Sequence, residues 1–208
     1  MRRDLISSAL AIVVLTIVLG VAYPLVVTAV AQVVWPTKAD GSQIRVDGKV
    51  VGSKLLSQPF VIDTGRRDSK GNAITRPDPR YFQPRPSQDS YNPAATFFSN
   101  RGPNQSSARY FFRGRIAAYI ALEKPYDSGL TAALVPVDAV TTSASGVDPH
   151  ISQANARIQA HRIAAVRRIA PARVSQLIAG NTDGRALGVL GEPGVNVTTL
   201  NLALDGHA

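Results

Sequence analysis

"LISSALAIVVLTIVLGVAYPLVVTAVAQVV", Leu5–Val34, runs for thirty residues without a charged side chain. As a helix it would extend about 45 Å, against a bilayer hydrocarbon core of about 30 Å. One span with tilt or overhang fits that length, and two do not. Tyr23 and Trp35 are aromatic residues of the kind found at headgroup level, and Pro24 is expected to kink or end the regular part of the helix. A cleaved signal peptide is the competing reading: Arg2 and Arg3 form a basic n-region, and Ala29–Ala31 is a small-x-small site. The apolar run, however, exceeds the roughly 7–15 residues of a usual h-region. Both readings leave Arg2 and Arg3 in the cytoplasm and the rest of the chain outside.

Beyond the apolar run, the remaining length suffices for one ordinary domain with its own core. The fold class expected is α+β: a transmembrane anchor at residues 1–35, then one extracytoplasmic domain at 36–208 with a long irregular central region. Lys and Arg number 23 against 14 Asp and Glu, a formal charge of +9, and 18 of the 23 are arginine. Arginine favours fork-shaped pairing with carboxylates and phosphates. No dense block of like charge marks a polyanion-binding tail, and no nucleic acid partner is expected. The absence of cysteine excludes disulfides and thiol chemistry.

In "IRVDGKVV" (Ile44–Val51) apolar and polar residues alternate on either side of Asp47-Gly48, which predicts a two-residue hairpin. Residues 63–110 are rich in Pro, Asn, Asp and Gly and read as mostly loop, a length that is usually functional or held down by a partner. Ala133–Ser143 reads as a buried strand, with Pro136 at an edge or bulge. A helix is expected from Ser152 to about Ile169, and a shorter one between Pro171 and Gly180. "VNVTTLNLALD" alternates with a slip in phase near Thr198, which implies a bulge or two short elements.

"SGVDPHIS" (Ser145–Ser152) sets a carboxylate and an imidazole between hydroxyls. A nucleophile turn such as G-x-S-x-G is absent, so the segment reads as a helix start, with Ser152 as N-cap. On that reading an aspartate at position 152 would cap about as well. His161 and His207 are isolated, no H-x-x-x-H occurs, and "GVLGEPG" (Gly188–Gly194) is not a Walker A loop. No catalytic, cofactor or metal residues are assigned. On the helix after Ser152, Ala154, Ile158, Ala165 and Ile169 share a face, and Arg157, Arg167 and Arg168 lie opposite. Arg162 falls inside the apolar sector, where it would snorkel, pair with a carboxylate such as Asp148, or contact a partner.

Taken in order, several stretches resemble the C subunit of the Kdp potassium-transporting P-type ATPase across nearly the whole chain. They are the N-terminal span, "GSKLLSQPF" (Gly52–Phe60), "YFQPRPS" (Tyr81–Ser87), "SNRGPN" (Ser99–Asn104), "VPVDAVTTSASGVDPHIS" (Val135–Ser152), "QAHRIAAVR" (Gln159–Arg167) and "LGEPGVNVTTLN" (Leu190–Asn201). Residues 63–80 are longer than the family pattern, and Phe97-Phe98 stand where it usually has small residues. The resemblance implies a non-catalytic subunit of an inner-membrane potassium pump. Its partners would be a channel-like A subunit, an ATP-hydrolysing B subunit and a small F peptide. It also implies a stabilising role and a catalytic chaperone effect on ATP affinity, with ATP reaching this chain only through a complex shared with the B subunit. A domain outside the membrane meets no cytoplasmic ATP, so such an effect would be indirect. Arg85, Ser87, Asn100, Asp148, His150 and Arg162 are the candidate partner contacts. A different class of function, an anchored or secreted domain that binds a polyanion through its arginines, is the alternative.

Overall fold

In the computed structural model, residues 2–95, 100–102 and 104–207 are described. Phe97 and Phe98, along with Ser99 and Pro103 of the fourth family-like stretch, lie outside them.

The apolar run is one helical rod, Arg2–Val34, whose most apolar stretch has mean hydropathy 2.7 and is not buried. Helix α1 (Arg2–Ile17) passes through a π-turn at Val18–Ala22 into α2 (Tyr23–Val34). Pro24 neither ends the rod nor leaves a gap in it. Its missing N–H would strand a carbonyl one turn earlier; the π-turn widens the ladder there, and the Tyr23 amide bonds back to the Val18 carbonyl. A single helical turn, α3 (Pro36–Ala39), follows.

The hairpin at Asp47-Gly48 forms as expected, β1 (Gln43–Val46) against β2 (Lys49–Ser53). Both turn residues take positive φ, 49° and 78°, as a type I′ turn requires. The expected loop at 63–110 is corrected at both ends. Strands β3 (Val61–Arg67) and β4 (Ala73–Pro77) form a second hairpin, and α4 (Ser106–Glu123) is a long helix. The β3–β4 hairpin is exposed along nearly all its length, so it has no apolar face to print a period-2 signal. Its turn is set by Asp68, which accepts from the Lys70 and Asn72 amides at 2.8 Å each.

The strand expected at 133–143 is replaced by two 3-10 turns, Ala132–Leu134 and Val137–Ala139. Leu134 and Val137 face solvent; Asp138 is spent on the next helix. After β5 (His150–Ser152), α5 (Gln153–Arg167) and α6 (Pro171–Gly180) agree with their sequence limits. A small antiparallel sheet then closes in the order β5-β7-β6, with β6 (Thr182–Asp183) and β7 (Gly194–Asn196). The phase slip near Thr198 marks two short elements, as one of the two expectations had it: β7 ends and α7 (Val197–Leu204) is a helix. Asn196 starts it by accepting from the Thr199 amide at 3.2 Å.

The core gathers Phe82, Ile151, Ala156, Ile163, Val174, Val195, Val197 and Leu200 between the sheet, α5, α6 and α7. On α5 the buried face is Asn155, Ala156, Gln159, Arg162 and Ile163, not the Ala154–Ile158–Ala165–Ile169 face expected from apolarity. Three residues of the buried face are polar or charged because they pack against a backbone that has no sheet to bond to. Gln83 donates its amide to Gln159 Oε1 at 2.7 Å and accepts from Gln159 Nε2 at 3.0 Å. Asn201 on α7 binds Phe82 in the same two-sided way, at 2.9 Å each. Two side-chain amides thus stand in for a neighbouring strand, and this part of the central region is held down by its own chain.

Ser152 caps α5 as expected, accepting from the Asn155 amide at 3.1 Å. Its hydroxyl also donates to Asp138 Oδ1, and its amide donates to Asp138 Oδ2, both at 2.8 Å. An aspartate at 152 would face the Asp138 carboxylate without a proton to offer it, which overturns the expectation of an equivalent cap. Ser152→Ala is expected to cost about 0.5–2 kcal/mol. Ser152→Asp is expected to cost at least as much at neutral pH, both read from thermal unfolding.

Candidate functional site

Three of the candidate residues converge at the end of the small sheet. His150 opens β5, which pairs with β7 through His150↔Asn196 and Ser152↔Gly194. Asp183 lies across β7, paired with Gly194 from the other side. The imidazole therefore reaches over Gly194: a Cβ built there would meet His150 Cβ and Cδ2 at 3.2 Å. A side chain at 194 would press on the ring and require it to shift by a few tenths of an ångström.

Held in this way, His150 lies between two carboxylates. Nδ1 is 3.3 Å from Asp148 Oδ1 and Nε2 is 2.8 Å from Asp183 Oδ2. Asp148 Oδ1 also accepts the His150 amide at 3.0 Å, and Arg85 Nη1 sits 3.5 Å from Asp148 Oδ2. Arg85 is oriented further by the Thr142 carbonyl at 3.1 Å. The hydrogen bond to Asp148, then that to Asp183, raises the His150 pKa above its ordinary value against the opposing effect of burial. For Asp148, burial pushes the carboxyl up, but its hydrogen bonds to His150 and the charges of His150 and Arg85 together hold it below its ordinary value.

The sign of the pH dependence follows. His150 contributes stability that is complete below its unfolded pKa near 6.5 and is lost as pH rises through the raised folded value. Asp148 contributes stability that is complete above 3.8 and is lost as pH falls through its lowered folded value. The stability gap between wild type and His150→Gln is therefore expected to be widest near pH 6 and to narrow by pH 8.5, measured as paired urea unfolding curves.

An imidazole bonded at both nitrogens to carboxylates favours the cation and offers no lone pair as a base. Neither flanking serine bonds to it among the described residues: Ser152 is engaged by Asp138 and Asn155, and Ser145 Oγ accepts from the Val147 amide. The cluster opens on a cleft of about 520 Å³ that also includes Leu55, Ser143 and Ser145.

The other candidates lie apart from it or inside. Ser87 bonds to Asp89 and accepts the Tyr91 amide at 2.9 Å, while the Tyr91 hydroxyl returns to the Arg85 carbonyl at 2.9 Å. Ser87 thus shapes the turn behind Arg85. Asn100 is exposed with φ 47°, and no hydrogen bond ties it to the cluster among the described residues.

Arg162 is 0% exposed. It pairs with Glu123, not Asp148, its Nε lying 3.0 and 3.1 Å from the two carboxylate oxygens. It also donates to the Pro79 and Tyr81 carbonyls and to Gln159 Oε1. The reading of Arg162 as a partner contact is corrected on that ground, since it has no surface to offer. Sequence reasoning missed Glu123 and Gln159, whose polarity argued against burial, and Asp183, which has no local signal.

The family-like stretches lock onto one another. The Ser57 amide donates to the Val147 carbonyl at 2.8 Å. Asn196 and Thr198 side chains bond the Lys54 and Leu56 carbonyls at 2.8 and 2.9 Å. Arg85, His150 and Gly194 come from three different stretches, as do Gln83, Gln159 and Asn201. The family described as "KdpC: K+-transporting ATPase, c chain" matches residues 5–206. The chain belongs to the KdpC family. A "Potassium-transporting ATPase KdpC subunit" of Sorangium cellulosum is 46% identical over 198 residues, covering 94% of this chain and 93% of its own. The Burkholderia cenocepacia protein of that name is 46% identical, with 93% and 91% covered. That of Mycobacterium tuberculosis is 41% identical, with 99% of each chain covered. The stretches on which the resemblance was read are thus, in this structure, largely the ones that close its interior.

Proposed function

We propose that this chain is a single-span accessory subunit of a potassium-transporting ATPase complex. Residues 1–35 anchor it with the N-terminus in the cytoplasm. Residues 36–208 form one domain outside, where they stabilise the contact between a channel-like subunit and an ATP-hydrolysing subunit, beside a small F peptide. The observation that carries this reading is the Arg2–Val34 rod, all of whose large apolar residues are exposed and need a bilayer or a partner helix. The KdpC relationship supports the choice of complex. The length of the apolar run, beyond that of a usual h-region, supports a retained anchor over a cleaved one.

The proposed partner contacts are Arg85, Asp148 and His150 at the open cleft, with Ser87 on the turn behind Arg85 and Asn100 exposed elsewhere on the surface. Any influence on ATP affinity is transmitted through the assembly rather than by a nucleotide held on this chain. The test is a detergent pull-down of the tagged full chain. Recovery of a multi-span protein and a P-type ATPase in stable ratio is expected. Recovery of the chain alone, from membranes that contain both others, would refute the proposal.

A further inference from the structure

Between β6 and β7, residues 184–193 carry the hairpin out beyond the small sheet as a finger. Ala186 and Leu190 bond to each other in both directions, amide to carbonyl, at 2.8 and 2.9 Å. The Val189 amide closes the tip on the Ala186 carbonyl at 3.2 Å. Leu187 and Gly188 form the turn, with φ 54° and 77°.

The turn at Asp47-Gly48 has nearly the same pair of angles, 49° and 78°. There the first position is aspartate, whose short polar side chain tolerates the left-handed region. At 187 it is leucine, which has no polar atom to bond locally and sets its Cβ against the following carbonyl oxygen. Packing within the chain does not compensate. Leu187 is 90% exposed, more than any other large apolar residue described, the rod included, and Val189 and Leu190 are 73% and 59% exposed. A strained leucine that serves neither its turn nor the core points to a contact outside the chain.

The charges of the finger decide what kind of contact. Residues 184–193 hold one cation and one anion, Arg185 and Glu192. These pair with each other, Arg185 Nη2 lying 3.0 Å from both carboxylate oxygens, which leaves no free charge for lipid headgroups or for a charged protein surface. The segment also lacks Trp, Tyr, Phe and Lys, and a loop held at a lipid surface relies on such rings or on free cations. What remains is an uncharged aliphatic knob on a backbone fixed by its own hydrogen bonds. Such a knob suits a preformed apolar socket in a folded protein, because little freedom is lost on docking.

We infer that the 184–193 finger plugs, through Leu187, into an apolar socket on a neighbouring subunit. The inference rests on the reading of the chain as a subunit. It also extends the surface proposed above without a break: Asp183, bonded to His150, precedes the finger, and Gly194, beneath the His150 ring, follows it.

The test uses the full chain co-expressed with the partner ATPase subunits. Leu187→Asn supplies a residue that the turn favours, so the unfolding temperature of the detergent-solubilised full chain is expected to stay at or above the wild-type value. Recovery of the ATPase subunit with the tagged chain is nevertheless expected to fall about tenfold, as for loss of an interface anchor. Leu187→Met, apolar and of similar volume, is expected to keep most of the recovery. If stability and recovery fall together, Leu187 is a residue of the fold and the inference is overturned; unchanged recovery with Leu187→Asn overturns it too. The socket is then located with a photo-crosslinking residue, Val189→benzoylphenylalanine, irradiated in the assembled complex. A product with a partner subunit is expected. Products only with lipid or with a second copy of this chain, or none from an intact complex, overturn the inference and leave the subunit reading standing. Failure of wild type itself to co-purify with the ATPase subunits removes both.

Discussion

Arg162→Ala is expected to destabilise the folded chain by about 3–5 kcal/mol. The pair with Glu123 is fully internal, with side-chain exposures of 0% and 1%. Truncation leaves the Glu123 carboxylate without a counter-charge and removes the donor to two backbone carbonyls, Pro79 and Tyr81. Burial already pushes the Glu123 carboxyl upward, with Arg162 opposing it, so loss of the arginine makes the anion less tolerable still. Against a total stability of about 5–15 kcal/mol, this is enough to unfold a large share of molecules. The control is Arg162→Met combined with Glu123→Leu. It removes both charges and leaves only the carbonyls unsatisfied, so it should fall between wild type and the single variant. Urea unfolding of the detergent-solubilised full chain, followed by circular dichroism, checks both. A loss below about 1 kcal/mol for Arg162→Ala would mean that the buried pair carries little of the fold. In membranes the single variant should lower recovery of the complex through misfolding, while any complex that assembles keeps its turnover.

The second large effect concerns the rod. Deletion of residues 2–34 is expected to move the chain from the membrane pellet to the soluble fraction and to abolish its recovery with the ATPase. A graded version keeps the rod and inserts charge. Val18→Arg and Leu19→Arg each place a cation near the middle of the apolar run, at a cost of about 2.5–3.5 kcal/mol on insertion scales. Together they should sharply reduce membrane insertion, whereas Arg2→Ala should not. A mature chain found to begin after Ala31 would defeat the anchor reading, and a reporter after Ala208 that is active only in the cytoplasm would invert the topology.

What the sequence made legible was what repeats or what has only one use. Thirty uncharged residues have few other uses, Asp-Gly between alternating residues specifies a tight hairpin, and Pro171 and Gly180 bracket a helix by backbone chemistry alone. The misses share a different cause. Helix α4 does carry a helical period through Ala108, Phe112, Ile116, Tyr119 and Glu123, but Gly114 interrupts it and Glu123 does not look like a core residue. On α5 the apolar residues alone do not mark the buried face. There Asn155, Gln159 and Arg162 are buried beside Ala156 and Ile163, placed to bond a backbone that no strand accompanies. Of the cluster at the sheet end, Arg85, Asp148 and His150 are each legible as candidates. Their meeting with Asp183 across Gly194 depends on the register of β7, which no local pattern encodes.

The π-turn at Val18–Ala22 also fixes how the rod can be recognised from the side. An α-helix advances about 100° per residue, so one residue's worth of extra ladder turns everything after it by about that angle relative to everything before. A single helical wheel therefore cannot describe the rod. A neighbouring helix that lies along Ser8 and Ile12 in the first half meets, in the second, a stripe offset by a quarter-turn or more from the one an unbroken spiral would present. Tolerance to bulky substitution, scanned from Leu5 to Val34, should oscillate with a 3.6-residue period in each half and jump in phase at Gly20.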